Sequence, residues 1–305
     1  MVTRRDDENF SGKAAPGALP CSPADPQAEG CAAPPPSPAA HTPLELLHAD
    51  DDLIVVHKPA GLLVHPTALD AHEDDTALDR LRTQLGPQAP PALAPAHRLD
   101  KGTSGLLVFA CHADSARRLR EAFDGGQVAK RYRALVRGWP AAQGCIDHPL
   151  SRDPERPSAG QPMREAQTTF CRLARGEWPL ATRAGFAGTR VALLALSPAQ
   201  GRRHQIRRHA KHLGHPLIGD ATHGKGPLNR AVAGWLGLAR LWLHAEALAL
   251  PHPHDGRPLA FHCPPGAEWS ALRAHGHWQD DPGAEALAAT IAGCLPDCCP
   301  PPART

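Results

Sequence analysis

No run of apolar residues in this 305-residue chain approaches the roughly 20 that a bilayer-spanning helix needs. The N-terminus carries an acidic patch, Asp6-Asp7-Glu8, with no apolar stretch behind it that could serve as a secretion signal. Both absences point to a soluble protein of the cytoplasm without membrane partners. A disulfide framework is not expected either. The nine cysteines are odd in number, and Cys294, Cys298 and Cys299 fall in a Pro-rich C-terminal stretch, so free thiols in a reducing compartment fit better. There is no internal repeat. The formal net charge of +2 says little about partners, because it averages acidic ends over clustered basic residues. One absence is informative: between Gly201 and Gly219 there is no Asp or Glu, while Arg202, Arg203, Arg207, Arg208 and Lys211 all fall there.

The two ends lack the periodicity of a packed core. Residues 1–42 are dense in Pro, Ala, Ser and Asp, and are expected to form a disordered arm. Beyond Trp278 the chain passes Asp280-Asp281-Pro282 and a short Ala/Leu stretch into Cys298-Cys299-Pro300-Pro301-Pro302, so 279–305 is expected to be a flexible tail. That leaves 43–278 as the folded domain. Within it, Leu53-Ile54-Val55-Val56 reads as a strand stopped by Lys58-Pro59-Ala60-Gly61. The run Gly105-Leu106-Leu107-Val108-Phe109-Ala110 shows no alternation, which predicts a strand covered on both faces. Asp114 or Ser115 is the expected cap of a helix with Ala116, Leu119 and Phe123 inward and a basic outer face, ended by Gly125-Gly126. Residues 130–137 alternate, with Tyr132, Ala134 and Val136 on one face and Arg131, Arg133 and Arg137 on the other. Further strands are expected at 191–196 and 241–250, the latter turning at Asp255-Gly256 into 259–262. Many strands with few helices between them predict one α+β domain built on a mixed or antiparallel sheet.

Two segments could carry chemistry. Ala96-His97-Arg98-Leu99-Asp100-Lys101-Gly102-Thr103-Ser104-Gly105 places an acid and an Arg in a turn ahead of a buried strand, where a loop can hold a carboxylate at a cleft. Taken alone, such an Asp is more often a turn residue than a nucleophile. A serine nucleophile on the Gly-x-Ser-x-Gly pattern fails, because Leu106 stands where the last Gly belongs. The second segment runs from Gly201 to Pro216. Ile206, Ala210 and Leu213 form an apolar helical stripe, which puts Arg203 and Arg207 on a shared neighbouring face and turns Arg208 and Lys211 elsewhere. His204, His209, His212 and His215 raise the thought of a metal, but no Cys or carboxylate in the segment offsets the surrounding positive charge, and none is expected. Tyr132, the only tyrosine, is by default a packed strand residue.

Taken together, the segments resemble a known family. Ile54-Val55-Val56-His57-Lys58-Pro59-Ala60-Gly61-Leu62-Leu63-Val64-His65, His97-Arg98-Leu99-Asp100 with Thr103-Ser104-Gly105, Lys130-Arg131-Tyr132, Gly201-Arg202-Arg203-His204-Gln205-Ile206-Arg207, His215-Pro216-Leu217-Ile218-Gly219-Asp220 and Leu243-His244-Ala245 occur in the order found in the RluA-type pseudouridine synthases. The resemblance covers about residues 44–278. It implies the α+β fold of that family, with Asp100 as the catalytic aspartate, Tyr132 as the active-site tyrosine and Arg207 ion-paired with Asp100. It also implies a reaction without cofactor or metal, in which the ribose C1′ bond moves from uracil N1 to C5 of a flipped-out uridine. Arg98 resembles the arginine that fills the vacated place. RNA is thus the expected partner, contacted by Arg98, Lys130, Arg131, Arg202, Arg203, His204, Gln205 and Arg208 in a monomer. The chain is most similar to members that modify uridine 65 of tRNA. Enzymes of the same family acting on 23S ribosomal RNA, and a non-catalytic RNA-binding protein or chaperone, are the alternatives. Two departures are His57, where Asn is usual, and Lys101-Gly102 in place of Arg-Pro.

Overall fold

The computed structural model describes residues 42–66, 75–154, 156, 159–182 and 185–293. The expected arm at 1–42 lies outside the described residues apart from its last position, as do 294–305 of the expected tail. The chain begins with β1 (Glu45–Ala49), β2 (Leu53–Lys58), α1 (Ala77–Leu85), β3 (Ala94–Pro95), β4 (Ser104–Ala110) and α2 (Ala113–Asp124). There follow β5 (Ala129–Arg137), β6 (Gln143–Asp147), β7 (Leu150–Ser151), β8 (Met163–Arg164), β9 (Gln167–Trp178) and β10 (Thr189–Pro198). The last part holds α3 (Gln205–His212), α4 (Gly226–Leu236), β11 (Leu243–Pro251), β12 (Pro258–His262), α5 (Ala267–Arg273), β13 (His277–Asp280) and α6 (Ala284–Gly293).

One sheet of 11 strands dominates, in the order β1-β2-β4-β11-β5-β10-β9-β13, with β3, β12 and β6 added beside β4, β11 and β9. Every pairing is antiparallel except that of β4 with β11. The sheet is therefore mixed and the class α+β, as the strand-rich sequence predicts. The unbroken apolar run of β4 is buried at all seven positions, the outcome expected of a strand covered on both faces. Its parallel junction with β11 is tight. Gly105 has φ +111°, and a Cβ there would lie 2.2 Å from the Ala245 carbonyl oxygen, so only glycine fits.

Three apolar clusters hold the helices. β2 and β4 pack Leu53, Val55, Leu107 and Phe109 with Leu81 of α1 and Leu119 of α2. Trp178, Val191 and Leu193 meet Val232 of α4, Trp269 of α5 and Ala284 and Ala288 of α6. On the opposite face of β5 and β10, Ala134, Ala192 and Leu194 receive Ile206 and Ala210 of α3. Burying one such Leu or Ile side chain stabilises by about 1.5–3 kcal/mol.

Three expectations need correction. The cap of α2 is His112, which is extended and accepts from the Ser115 amide; Ser115 instead donates its hydroxyl to Asp52. The outer face of α2 is neutralised rather than basic, because Arg117 pairs with Asp114 and Glu121, and Arg118 with Asp114. The boundary at 278 also cuts through structure: β13 continues to Asp280, Arg172 holds Asp281 at 2.7 Å, and Ala284 and Ala288 are core residues. A short Ala/Leu segment reads as a tail only until a sheet face is found to receive it.

Candidate active site

Asp100 sits in the loop that leads from β3 into β4. Leu99 anchors the loop in the first apolar cluster, and the Thr103 amide donates to the Asp100 carbonyl. The following carbonyl, of Lys101, accepts from the Gly61 amide at 2.8 Å and from Lys58 Nζ at 3.2 Å. Lys58 is fully buried and also donates to the carbonyls of Pro59 and Leu62. Burial pushes its amine down to about 7, against the opposing pull of Asp100. At the other end of the loop, Ser104 Oγ bonds His244 Nδ1 at 2.8 Å and accepts from Arg240. The carboxylate is thus carried on a loop tied down on both sides.

Arg207, from the first turn of α3, reaches across to it. Nη1 donates to Asp100 Oδ2 at 2.9 Å, while Nε and Nη2 grip Asp220 Oδ2 and Oδ1 at 2.7 and 2.8 Å. Burial alone would lower the guanidinium. The hydrogen bonds to Asp220 and the charges of both aspartates raise it instead, so it is permanently charged. Burial likewise acts to raise Asp220, and the bond from Arg207 reverses this to a net lowering. Tyr132 lies on β5, with Ala245 of β11 and Leu196 of β10 as its register partners. Burial first, and then the charge of Asp100, push the phenol above its usual range. Near neutrality it is a neutral ring and hydroxyl, not a phenolate.

The predicted trio of Asp100, Tyr132 and Arg207 is therefore brought together. The other candidates separate. Arg98 is exposed two residues ahead of Asp100. Lys130 is half-buried, its amine pushed down to about 8 by burial. Arg202 donates to the Glu165 carbonyl, and Arg203 lies 3.6 Å from Asp153. Because α3 begins only at Gln205, Arg203 precedes the helix and does not share a helical face with Arg207. Three candidates are turned inward. Gln205 is buried and donates to the Gln167 carbonyl and Thr168 Oγ1 while accepting from the Arg202 amide. Arg208 bonds the carbonyl and hydroxyl of Ser151. Arg131 faces the buried carboxylate of Glu246 at 3.2 Å. As RNA-contact expectations these three are corrected, since each side chain satisfies an interior group instead.

The four histidines of the second segment also diverge. His209 is buried against Thr168 Oγ1 and the His148 carbonyl, His212 stacks on His148, and His215 bonds the Arg137 carbonyl. His204 turns toward Asp100, with Nε2 3.9 Å from Oδ1, and its Nδ1 lies 3.0 Å from His223 Nε2. Burial lowers both rings, His223 to about 4. Among the described residues, Asp50, Asp52 and His252 are the group whose ligand atoms approach within 4.8 Å of one another. They sit at the far end of β4, where Leu53 pairs with Ala110, and already bond His48, Ser115 and each other.

Sequence reasoning missed Asp220, Lys58 and His223 as site residues. For Asp220 a signal existed: five basic residues without an acid need a counter-charge, and the first acid stands one residue past Gly219. For Lys58 and His223 the chain offers no local sign of long-range partners.

The family model described as RNA pseudouridylate synthase matches residues 52–212. A tRNA pseudouridine synthase C from Vibrio cholerae is 38% identical over 242 residues, covering 78% of this chain and 97% of that one. The protein of the same name from Haemophilus ducreyi is 40% identical over 233 residues, covering 75% and 94%. Among solved structures, Human RNA Pseudouridylate Synthase Domain Containing 1 superposes with a TM-score of 0.65 at 25% identity, covering 85% of this chain and 98% of that one.

Proposed function

The chain belongs to the RNA pseudouridylate synthase family and is an isomerase acting on RNA, and from that premise we propose that it isomerises uridine 65 of tRNA, with Asp100 as the reacting carboxylate. The observation that carries the assignment of Asp100 is its ion pair with Arg207, a guanidinium fixed from behind by Asp220. A carboxylate that must act while ionised in a cleft emptied of water needs a permanent positive charge beside it, and this arrangement provides one. Only Nη1 of Arg207 is directed to Asp100, at Oδ2, so Oδ1 is left to meet the substrate. The neutral Tyr132 ring stacks against the flipped uracil, and the exposed Arg98 enters the place that the base vacates. Arg202, Arg203 and Lys130 bind phosphates along the approach. The choice of tRNA is supported by the names of relatives that share more than a third of their residues with this chain over nearly their whole length. We further propose that the protein works in the cytoplasm as a monomer, without a cofactor.

The test is tritium release from tRNA transcripts labelled at uracil C5, with labelled 23S ribosomal RNA fragments alongside. Release from tRNA by the wild type, abolished in Asp100→Asn, is the expected result, with the site read from a position-65 variant transcript. Release from the ribosomal fragments alone would transfer the assignment to that RNA, and an active Asp100→Asn would remove Asp100 from the chemistry.

A further inference from the structure

The sequence places His204 in a basic stretch that suggests a phosphate contact, but its geometry belongs to the reaction. His204 is the only non-glycine residue with positive φ among the described residues, at 54°, and it stands immediately before α3. Such a conformation is uncommon for a side chain of this size and persists where surrounding structure enforces it. It turns the ring away from the helix and into the site. Nε2 comes to 3.9 Å from Asp100 Oδ1, the oxygen that Arg207 does not occupy, and the side chain is only 14% exposed.

At 3.9 Å the two atoms are too far apart to be hydrogen-bonded, yet both can touch one group lying between them. The other ring nitrogen is engaged: Nδ1 meets His223 Nε2 at 3.0 Å, and His223 is itself buried, with its backbone amide on Asp220 Oδ1. Two neutral imidazoles form this bond with one donor. When His204 Nδ1–H donates to His223 Nε2, the Nε2 lone pair of His204 faces the space in front of Asp100. The charged and titratable groups around the ring are Asp100, Arg207, Arg203, Asp220 and His223, with Lys211 behind His223. The net effect, led by burial, favours the neutral ring.

We propose that His204 Nε2 is the base that removes the C5 proton of the rearranged uracil, and that His223 holds it in the tautomer able to do so. This rests on the assignment of Asp100 above. Once C1′ has moved to C5, that carbon is tetrahedral, bears the former C5 hydrogen, and is joined to a ring with an N1=C6 double bond. Nε2 forms a bond to the proton, the C5–H electron pair becomes C5=C6, and the N1=C6 pair moves to N1, which takes up a proton. One proton leaves carbon and one reaches nitrogen, so no oxidant, reductant or co-reactant is needed. The imidazolium formed stands beside the Asp100 carboxylate, which stabilises it until the proton passes to N1 or to water.

His204→Asn separates the ring from the backbone, because Asn tolerates the left-handed conformation. With tRNA as substrate the variant is expected to keep its RNA affinity and melting temperature and to lose about 10²-fold in kcat, the low end for a general base. The kinetic isotope effect of C5-deuterated uridine should rise above the wild-type value, because carbon deprotonation becomes limiting. His223→Gln, whose carbonyl can accept the Nδ1–H, should stay within about threefold of wild type, and His223→Leu should fall at least about tenfold. Unchanged kcat in His204→Asn, or a fall with no greater C5 isotope effect than wild type, overturns the proposal. Equal losses in His223→Gln and His223→Leu would remove the part given to His223. A wild-type protein that forms no pseudouridine in any RNA would instead overturn the assignment on which the proposal rests.

Discussion

Arg207 is held by two aspartates, and the unequal grip decides what each does. Asp220 has a fully buried side chain and takes two of the three bonds, whereas Asp100 takes one and is 28% exposed. Asp220 therefore sets the position of the guanidinium, and Asp100 receives the benefit of it. Replacing Asp220 with Asn should leave a buried cation half-compensated, which typically costs about 3–5 kcal/mol of stability. It should also lower kcat by more than it raises KM, because RNA binding does not use this face of Arg207. Chemical unfolding and steady-state rates measure the two effects. Unchanged kcat in a folded Asp220→Asn protein would separate Asp220 from the chemistry. Arg207→Lys should not rescue the site, since one ammonium cannot reproduce a two-pronged grip on Asp220 together with a third bond to Asp100. At this scale, Asp100, Tyr132 and Arg207 were legible because each stands in a short ordered motif. Asp220 was not, because its role depends on a partner 13 residues away with a turn between them. The meeting of His204 with His223 was hidden for the same reason, and Gln205 and Arg208 were misread because a polar helix face can point at interior carbonyls as well as at solvent.

Elements transmit the placement of the site through one close approach. β4 carries the Asp100 loop at its start, and its parallel partner β11 brings His244 beside Ser104. The two strands can lie so near only because Gly105 has no side chain: a Cβ would also meet the Ala245 amide nitrogen at 2.7 Å. Gly105→Ala combines a forced positive φ with a collision against backbone that cannot move aside, so a loss above about 3 kcal/mol is expected, beyond the ordinary range for a point substitution. Gly201→Ala is the matched control, since nothing lies within 4 Å of the added methyl and its φ is not positive. Comparable urea midpoints for the two variants would show that the β4–β11 junction can relax. The strands that were legible, β2, β4, β5, β10 and β11, share unbroken or cleanly alternating apolar residues. β9 was passed over because Arg172, Arg175 and Gly176 interrupt its pattern around a bulge opposite Leu193 and Leu194. No local rule reveals that Arg172 will reach Asp281.

For the molecule as a whole, the buried neutral histidines set its behaviour in acid. His97, His223 and His244 are each pushed down to about 4, in every case first by burial. His97 stacks on Phe123 and accepts from the Val108 amide, and His244 is wedged between Ser104 and the Cys263 carbonyl. In the unfolded chain these rings titrate near 6.5. As pH falls from about 6.5 to 4, the unfolded state therefore binds protons that the folded state refuses. Stability is complete above that window and drains through it. For His244, 1% exposed, the drop from 6.5 to about 4 corresponds to roughly 3 kcal/mol. Asp50 and Asp220, lowered by their partners, act further down, where their stabilisation is lost as pH falls through their depressed range. The melting temperature should accordingly fall steeply between pH 6.5 and 4 and continue to fall below it. His244→Asn keeps a donor and an acceptor but cannot titrate. It should be less stable than wild type at pH 7 and show a shallower slope between pH 6.5 and 4, by close to one proton in the linkage relation. An unaltered slope would mean that His244 already shares its proton in the native state, and that the acid sensitivity belongs to the other two rings.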